Sequence, residues 1–140
     1  MSYLKAIPIL YHLSERNLDG QILHPKVPDN FLTKHGFEDN TTPRVCFSTS
    51  IAKCLIAFSS NLAGKELYVH KAIDPGKVYQ PSLEEVPDCK ITGEKWVMRP
   101  VKLKKIGKIL VIKDDGKPGM KYTYGGKYTA ELYGWEYKMI

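Results

Sequence analysis

The chain has 140 residues, of which 43% are hydrophobic, and it carries a formal net charge of +6. This length fits a single domain over residues 1–140, and the apolar content is sufficient for a buried core, which excludes a disordered chain. No stretch approaches the ~20 apolar residues of a membrane span, and the first ten residues lack a signal-peptide pattern, so we expect a soluble cytoplasmic protein.

Two strands and one helix are predicted in the first half of the chain. Residues 6–13 are mostly apolar, which predicts a central strand. A loop with one helical turn at 30–34 leads to a second strand at 44–49. Ser50 has the hydroxyl of a helix N-cap, and apolar residues then recur at helical spacing until Gly64 ends the helix.

The second half of the chain is predicted to be mainly strand. An irregular, proline-containing segment at 77–89 interrupts it. Strands are predicted at 65–73, 94–103 and 105–113, a hairpin at 120–129, and a last strand at 130–140. These elements predict an α+β fold with mainly antiparallel strands in one sheet or two packed sheets, and with one clear helix.

The positive charge suits an anionic partner such as a nucleic acid, a nucleotide or an acidic protein. Much of it lies in the segment "KLKKIGKILVIK", where lysines alternate with Leu103, Ile106, Ile109 and Val111. This alternation predicts a sheet with a solvated lysine face. Because no nucleic-acid-binding motif accompanies the charge, the sequence disfavours a nucleic-acid partner.

The three cysteines predict reduced thiols rather than disulfides, because their number is odd and no C-x-x-C pair is present. Cys46 and Cys54 fall on the predicted strand and helix, which indicates buried, inert thiols. No histidine and cysteine residues have zinc-binding spacing, so no metal site is predicted.

The segment "YHLS" contains the first candidate site residues. His12 is near the end of an apolar strand, and Ser14 is on the same face two positions later. An imidazole and a hydroxyl so placed can hold a ribose or an amide. The structural alternative is a histidine that is hydrogen-bonded at the edge of the core.

The segment "RVCFSTS" contains the second group. Ser48, Thr49 and Ser50 can direct hydroxyls into a cleft, although Ser50 is also explained as the helix cap. Arg44 has the planar fork that binds a phosphate. Its alternative is a surface arginine beside Glu38 or Asp39.

Glu94 is the third candidate because it directly follows Gly93 at a loop-to-strand junction. A carboxylate there can stabilise a developing positive charge, as in catalysis, or it can be an ordinary exposed residue at a strand start. Asp88, on the approach to Glu94, is a weaker candidate that a turn also explains.

The order of "YHLS", "RVCFSTS", "ELYVHKAIDPG" and "EKWVMRPVKLKKIGKILV" resembles the ADP-ribosyltransferase fold, and most closely the small rifampin ADP-ribosyltransferases. The resemblance covers roughly residues 9–112. It implies a cleft that binds NAD, with His12 on the ribose and amide and Glu94 as the acidic catalytic residue. The implied ligand contacts, together with those argued above, are Tyr11, His12, Ser14, Arg44, Cys46, Phe47, Ser48 and Ser50.

This sequence departs from the family pattern at two positions. Cys46 stands where the family has a tyrosine that stacks on nicotinamide, and the neighbouring Phe47 should face the other side of the strand. Leu13 replaces the small residue, normally glycine, that follows the histidine, which narrows the approach to the backbone. A nucleotide-shaped cleft is therefore expected, while NAD cleavage is put in question.

Three functions follow as hypotheses. The first is a protein that binds NAD or a related ADP-ribose or adenine nucleotide and transfers ADP-ribose to an acceptor. The second is a non-catalytic protein that sequesters a nucleotide or nucleotide-derived signal, as proteins of phages or mobile elements do. The third is an interaction module whose lysine face binds an acidic partner. The oligomeric state and the acceptor are not predicted.

Overall fold

The computed structural model describes residues 2–57, 62–87, 89–113, 120–123, 127–130 and 136–140. These residues form short helices and mostly short strands, and neighbouring strands are antiparallel. In chain order they are β1 (Ser2–Tyr3), β2 (Tyr11–Ser14), β3 (Ile22–Leu23), α1 (Phe31–Lys34), β4 (Val45–Phe47), α2 (Ile51–Ala57), β5 (Glu66–Ile73), β6 (Tyr79–Gln80), α3 (Cys89–Thr92), β7 (Lys95–Val97), β8 (Val101–Lys113), β9 (Met120–Thr123), β10 (Lys127–Ala130) and β11 (Glu136–Met139).

The larger sheet has the strand order β11-β8-β5-β2, and β3 pairs with the first residues of β8. One of its faces packs on α2, where Leu13, Leu55, Val69 and Ile109 are buried in a common cluster. The opposite face packs on the smaller sheet. The helix thus covers one side of this sheet, as expected for an α+β fold.

The smaller sheet has the strand order β1-β6-β7-β4. Between the two sheets lies a second cluster of buried apolar residues, which includes Leu10, Phe47, Val97 and Leu103. The two sheets meet where the backbones of Tyr11 and Ser48 exchange hydrogen bonds of 2.8 and 3.2 Å. The prediction of a mainly antiparallel α+β fold is confirmed.

A β-bulge allows the long strand β8 to contribute to both apolar clusters. His70 pairs with Lys105 and Val69 pairs with Gly107, so Ile106 is an extra residue without a partner on β5. The bulge reverses the alternation of side chains along β8. Leu103 therefore packs between the sheets, while Ile109 packs on the α2 side.

The lysine face predicted on this segment is present, but Ile106 is not on its apolar side. Lys102, Lys104 and Lys105 are exposed, as predicted. Ile106 is also exposed, by 43%, and as the extra residue of the bulge it has no partner on β5. A pattern of period two does not reveal an inserted residue.

The first predicted strand begins later than expected. Residues 6–10 are not in a strand, and Ile7 and Ile9 are 47% and 56% exposed. Pro8 lacks the N–H that a central strand needs, so pairing starts only at Tyr11. The prediction of one strand over residues 6–13 is therefore wrong in its first half.

Two other boundaries differ from the predictions. The predicted strand at 94–103 is divided by residues 98–100, so that β7 belongs to the smaller sheet and β8 to the larger one. Pro100 cannot donate a ladder hydrogen bond, which explains the break. The segment 77–89, predicted to be irregular, contains β6 and the first residue of α3.

The predicted helix cap and hairpin are confirmed. The Ser50 hydroxyl accepts the backbone N–H of Lys53 at 3.1 Å, at the start of α2. Strands β9 and β10 pair antiparallel, as predicted for the hairpin, while the glycine pair at its tip is outside the described residues. Cys46, Cys54 and Cys89, which all lie in the described part of the chain, form no disulfide bond. No helix among the described residues is long and apolar enough to cross a membrane.

Candidate functional site

A cleft opens beside the edge of β4, near the place where the two sheets meet. At one end, Arg44 forms a two-hydrogen-bond backbone pair with Lys26 of the preceding loop. At the other end, Ser48 pairs with Tyr11 of β2. The cleft has a volume of about 520 Å³, within the ~300–1,000 Å³ range of small-molecule sites.

The lining of this cleft is apolar with several basic groups. Its described lining residues contain no carboxylate, and the basic side chains come from β2, from the loop after β3 and from the residue before β4. The lining residues are His12, Ile22, Leu23, His24, Lys26, Pro28, Arg44, Val45 and Cys46. A positive lining of this kind attracts an anionic ligand.

His12 is held in the cleft as a neutral imidazole. Its ring lies 6.2 Å from the ring of Phe47, edge to face, and 6.2 Å from the ring of His70. Burial lowers the pKa of His12 to about 4, and the neighbouring His70 adds to the decrease. At neutral pH the ring therefore offers a hydrogen-bond acceptor and donor rather than a charge.

Arg44 is one of the residues that line the cleft, but it is buried, with only 2% of its surface exposed. Its Nη1 donates to the carbonyl oxygens of Asp39 and Thr42 and lies 3.6 Å from the Asp39 carboxylate. The guanidinium stacks on Trp96, 4.2 Å from the ring centroid. The surface alternative for Arg44 is therefore wrong in its burial, although the suggested neighbour Asp39 is correct.

The remaining edge of the Arg44 guanidinium is unusual. Its Nε and Nη2 are buried and have no hydrogen-bond partner among the described residues. These two N–H groups form the parallel fork that binds a carboxylate or a phosphate in a bidentate manner. The arginine is thus fixed through Nη1 and through its stacking on Trp96, while Nε and Nη2 are buried in a side chain without exposed surface.

Cys46 and Phe47 face opposite sides of β4, as predicted. Cys46 packs beside Trp96 and Met98, whereas Phe47 packs between the sheets against the edge of His12. Burial raises the pKa of the Cys46 thiol to about 12, and the Glu94 carboxylate adds to the increase. Burial also raises the pKa of Cys54 to about 12. Both thiols stay protonated, which makes them poor nucleophiles.

Glu94 lies in a second, smaller cavity of about 110 Å³. Its carboxylate accepts the Nε1–H of Trp96 at 3.0 Å. The preceding residue, Gly93, has a φ of +62°, and a Cβ at this position would lie 2.5 Å from Thr49 Oγ1 and 2.8 Å from Lys53 Cδ. This turn into β7 therefore requires a glycine immediately before Glu94. The structure therefore places Glu94 and His12 in different cavities, and Cys46 is the residue that lines both.

The other predicted residues are divided between structural and cavity positions. Tyr11, Phe47 and Ser48 line the smaller cavity with Glu94. Ser14 lines neither cavity, and its Oγ accepts the backbone N–H of Arg16 at 3.0 Å. Ser50 caps α2. Asp88 is outside the described residues.

Sequence reasoning missed His24 and Lys26, which lie in the loop and face the cleft. Their sequence signal is weak, because the proline-interrupted segment "ILHPKVP" has no periodicity that assigns a face. The backbone pairing of Lys26 with Arg44, together with the pairing of β3 with β8, brings them to the site. Among the described residues, no group of three or more histidine, cysteine, aspartate or glutamate side chains is placed to hold a metal ion.

Comparison with known proteins identifies no relative of this chain. No protein-family model, no curated protein and no solved structure matches it.

Proposed function

We propose that the chain binds NAD, or a related ADP-ribose or adenine nucleotide, in the cleft between β2 and β4. The observation that carries the proposal is a cleft of about 520 Å³ whose described lining combines His12, His24, Lys26 and Arg44 with no carboxylate. Such a lining suits the phosphates and the ribose of a nucleotide.

The layout of the cleft supports an ADP-ribosyltransferase-like fold as part of this proposal. The resemblance of the sequence motifs implies a nucleotide cleft built from a histidine strand and the "RVCFSTS" strand. In the structure these strands, β2 and β4, meet at Tyr11 and Ser48, and His12 lines the cleft beside them.

Two observations favour binding over transfer of ADP-ribose. The Glu94 carboxylate is bonded to Trp96 and lines the smaller cavity, away from His12. The position that corresponds to the stacking tyrosine holds Cys46, whose protonated thiol supplies no ring and no nucleophile. A protein that captures a nucleotide or nucleotide-derived signal and holds it unchanged is therefore the better-supported form of the proposal.

A thermal-shift screen with NAD, ADP-ribose and cyclic nucleotides tests the proposal. A nucleotide at 100 times its dissociation constant should stabilise the fold by about 2.7 kcal/mol. Lys26→Gln should weaken the effect, because its exposed side chain lies in the cleft. Lys104→Gln removes the same charge from the exposed sheet face and should leave the effect unchanged. The absence of any shift with all nucleotides would contradict the proposal.

The fate of the ligand separates holding from transfer. Purified protein is incubated with NAD, and the nucleotide is recovered after denaturation. Intact NAD supports a binding protein. NAD consumption that both His12→Ala and Glu94→Ala abolish would instead support ADP-ribosyl transfer and would require the two cavities to act on one ligand.

A further inference from the structure

The backbone of Cys46 carries an open pair of hydrogen-bonding groups. Arg44 and Ser48, two residues before and after it, direct their N–H and C=O groups away from β7, toward Lys26 and Tyr11 respectively. Because backbone direction alternates along a strand, Cys46 directs its own N–H and C=O toward the same outer edge. No described residue pairs with them there.

Two neighbouring segments converge on the position opposite Cys46, and neither occupies it. Continuing the antiparallel pairing of Tyr11 with Ser48 would place Leu13 opposite Cys46. Continuing the pairing of Lys26 with Arg44 from the other end would place His24 at the same position. The segments that contain Leu13 and His24 cannot both pair with Cys46. They diverge, and the position opposite Cys46 stays open. Cys46 accordingly lines both the cleft and the smaller cavity.

We propose that the N–H and C=O of Cys46 bind the edge of a planar amide or nucleobase that presents an acceptor beside a donor. This inference rests on the proposed function, since it assigns a part of the nucleotide to a part of the cleft. The carboxamide of nicotinamide has such an edge, and so does the N1–amino edge of adenine.

The length of the unpaired edge indicates whether the ligand is a small molecule or a peptide strand. An added β-strand needs a run of free groups along the edge of a sheet. Here the edge is already paired at Arg44 and at Ser48, so only one residue is free between them. A single donor and acceptor pair suits a planar group of a small molecule and excludes an added strand.

The charges beside the opening suit the rest of the same ligand. Arg44 lies two residues from Cys46, and Lys26 is its backbone partner. A nucleotide whose planar end bonds to Cys46 would therefore have its phosphates near the exposed cationic side chain of Lys26 in the same cleft.

Replacement of Cys46 by proline tests the role of the backbone N–H. Proline removes this donor without breaking the β4–β7 ladder, because the N–H faces away from β7. Cys46→Ala removes the thiol and keeps the N–H. Isothermal titration with the nucleotide that stabilises the wild type should show binding about tenfold weaker for Cys46→Pro. Cys46→Ala, which keeps the N–H, should bind more tightly than Cys46→Pro.

The second test measures the binding of modified nucleotides to the wild-type protein, so it does not require that a variant folds. In the acetylpyridine analogue of NAD a methyl group replaces the amide NH₂, and in the hypoxanthine analogue an oxo group replaces the adenine amino group. One of these changes should weaken binding to the wild type about tenfold and should have little further effect on Cys46→Pro. The sensitive analogue identifies the end of the nucleotide that binds Cys46.

The outcomes separate this inference from the proposed function. If NAD binds and neither analogue binds more weakly, the inference is wrong and the proposed function stands. Equal binding by Cys46→Pro and Cys46→Ala at equal melting temperatures would also overturn it. If Cys46→Pro does not fold, the analogue comparison decides alone. If the wild type binds no nucleotide, both proposals fail.

Discussion

The Nδ1 atom of His70 lies 3.2 Å from the backbone carbonyl oxygen of His12, so the buried His70 ring is hydrogen-bonded to the backbone of the adjacent strand β2. The Nε2 of His70 accepts the backbone N–H of Leu18 at 2.9 Å. This pair of contacts requires the tautomer with the proton on Nδ1. His70 therefore connects the strand that carries His12 to the loop that leads into the cleft wall.

Stability should decrease as the pH falls from about 7 to 5. Burial lowers the pKa of both histidines, that of His12 to about 4, so between pH 6.5 and 4 the unfolded chain binds more protons than the folded one. The stability that the neutral histidines contribute is complete above their pKa in the unfolded chain. It is lost as the pH falls toward their lower pKa in the folded protein. For His12 it amounts to at most about 3 kcal/mol.

Urea unfolding at pH 7.5, 6.5, 5.5 and 5.0 measures this dependence. His12→Gln should flatten it, whereas His24→Gln, at an exposed position, should not. Staying at or above pH 5 keeps the measurement above the range in which carboxylates such as Asp39 and Glu85, whose pKa values are lowered, begin to protonate. A pH slope that is the same in both variants would contradict the assignment.

His70→Phe should destabilise the fold by about 1–2 kcal/mol, because it leaves the Leu18 N–H without its acceptor. His70→Gln retains an acceptor and should restore part of the loss. Hydrogen exchange at the Leu18 amide provides a local measurement and should be faster in His70→Phe than in His70→Gln. If the two variants exchange equally at this amide, His70 does not hold the loop in place.

Arg44→Lys should destabilise the fold by about 2 kcal/mol even though it keeps the charge. Lysine loses the planar contact with Trp96 and cannot reproduce the guanidinium geometry in which Nη1 donates to the carbonyl oxygens of Asp39 and Thr42. Urea unfolding measures the change, and Arg16→Lys, at an exposed arginine, is the matched control with an expected change within ~0.5 kcal/mol. Wild-type stability in Arg44→Lys would show that the contact with Trp96 and the hydrogen bonds of Nη1 have no structural role.

Gly93→Ala should destabilise the fold by about 1–3 kcal/mol. The residue has a φ of +62°, and an added Cβ would lie 2.5 Å from Thr49 Oγ1. Gly20 also has a positive φ, of +75°, but no atom lies within 4 Å of its Cβ position. Gly20→Ala is therefore the control that carries the backbone strain alone. A similar loss in both variants would show that the contact with Thr49 contributes little.

The sequence predicted the elements whose signals are local. The Ser50 cap, the hairpin and the solvated lysines follow from hydroxyl, turn and alternation patterns that need no knowledge of neighbouring strands. The start of the first strand was misplaced because the apolar run includes Ile7 and Ile9, which are exposed. Apolar composition alone does not show whether a partner strand is present on either side of Pro8.

The candidate site was only partly predictable. His12, Arg44 and Cys46 do line one cleft, but Glu94 lines the smaller cavity, which shares Cys46 with the cleft and does not include His12 or Arg44 among its described lining residues. Lys26 reaches the cleft through a backbone pairing between residues 18 positions apart in the chain. Pairings between distant residues leave no trace in the composition of either segment, so a single sequence does not indicate them.

The bulge at Ile106 makes the two halves of β8 dependent on a single inserted residue. Deletion of Ile106 would shift the register by one, so either Leu103 or Ile109 would turn from its apolar cluster toward the other face of the sheet. Replacing the same exposed side chain by threonine would leave the register intact. Substitutions of Ile106 should therefore leave the fold intact, whereas deletion of this residue should disrupt one of the two apolar clusters.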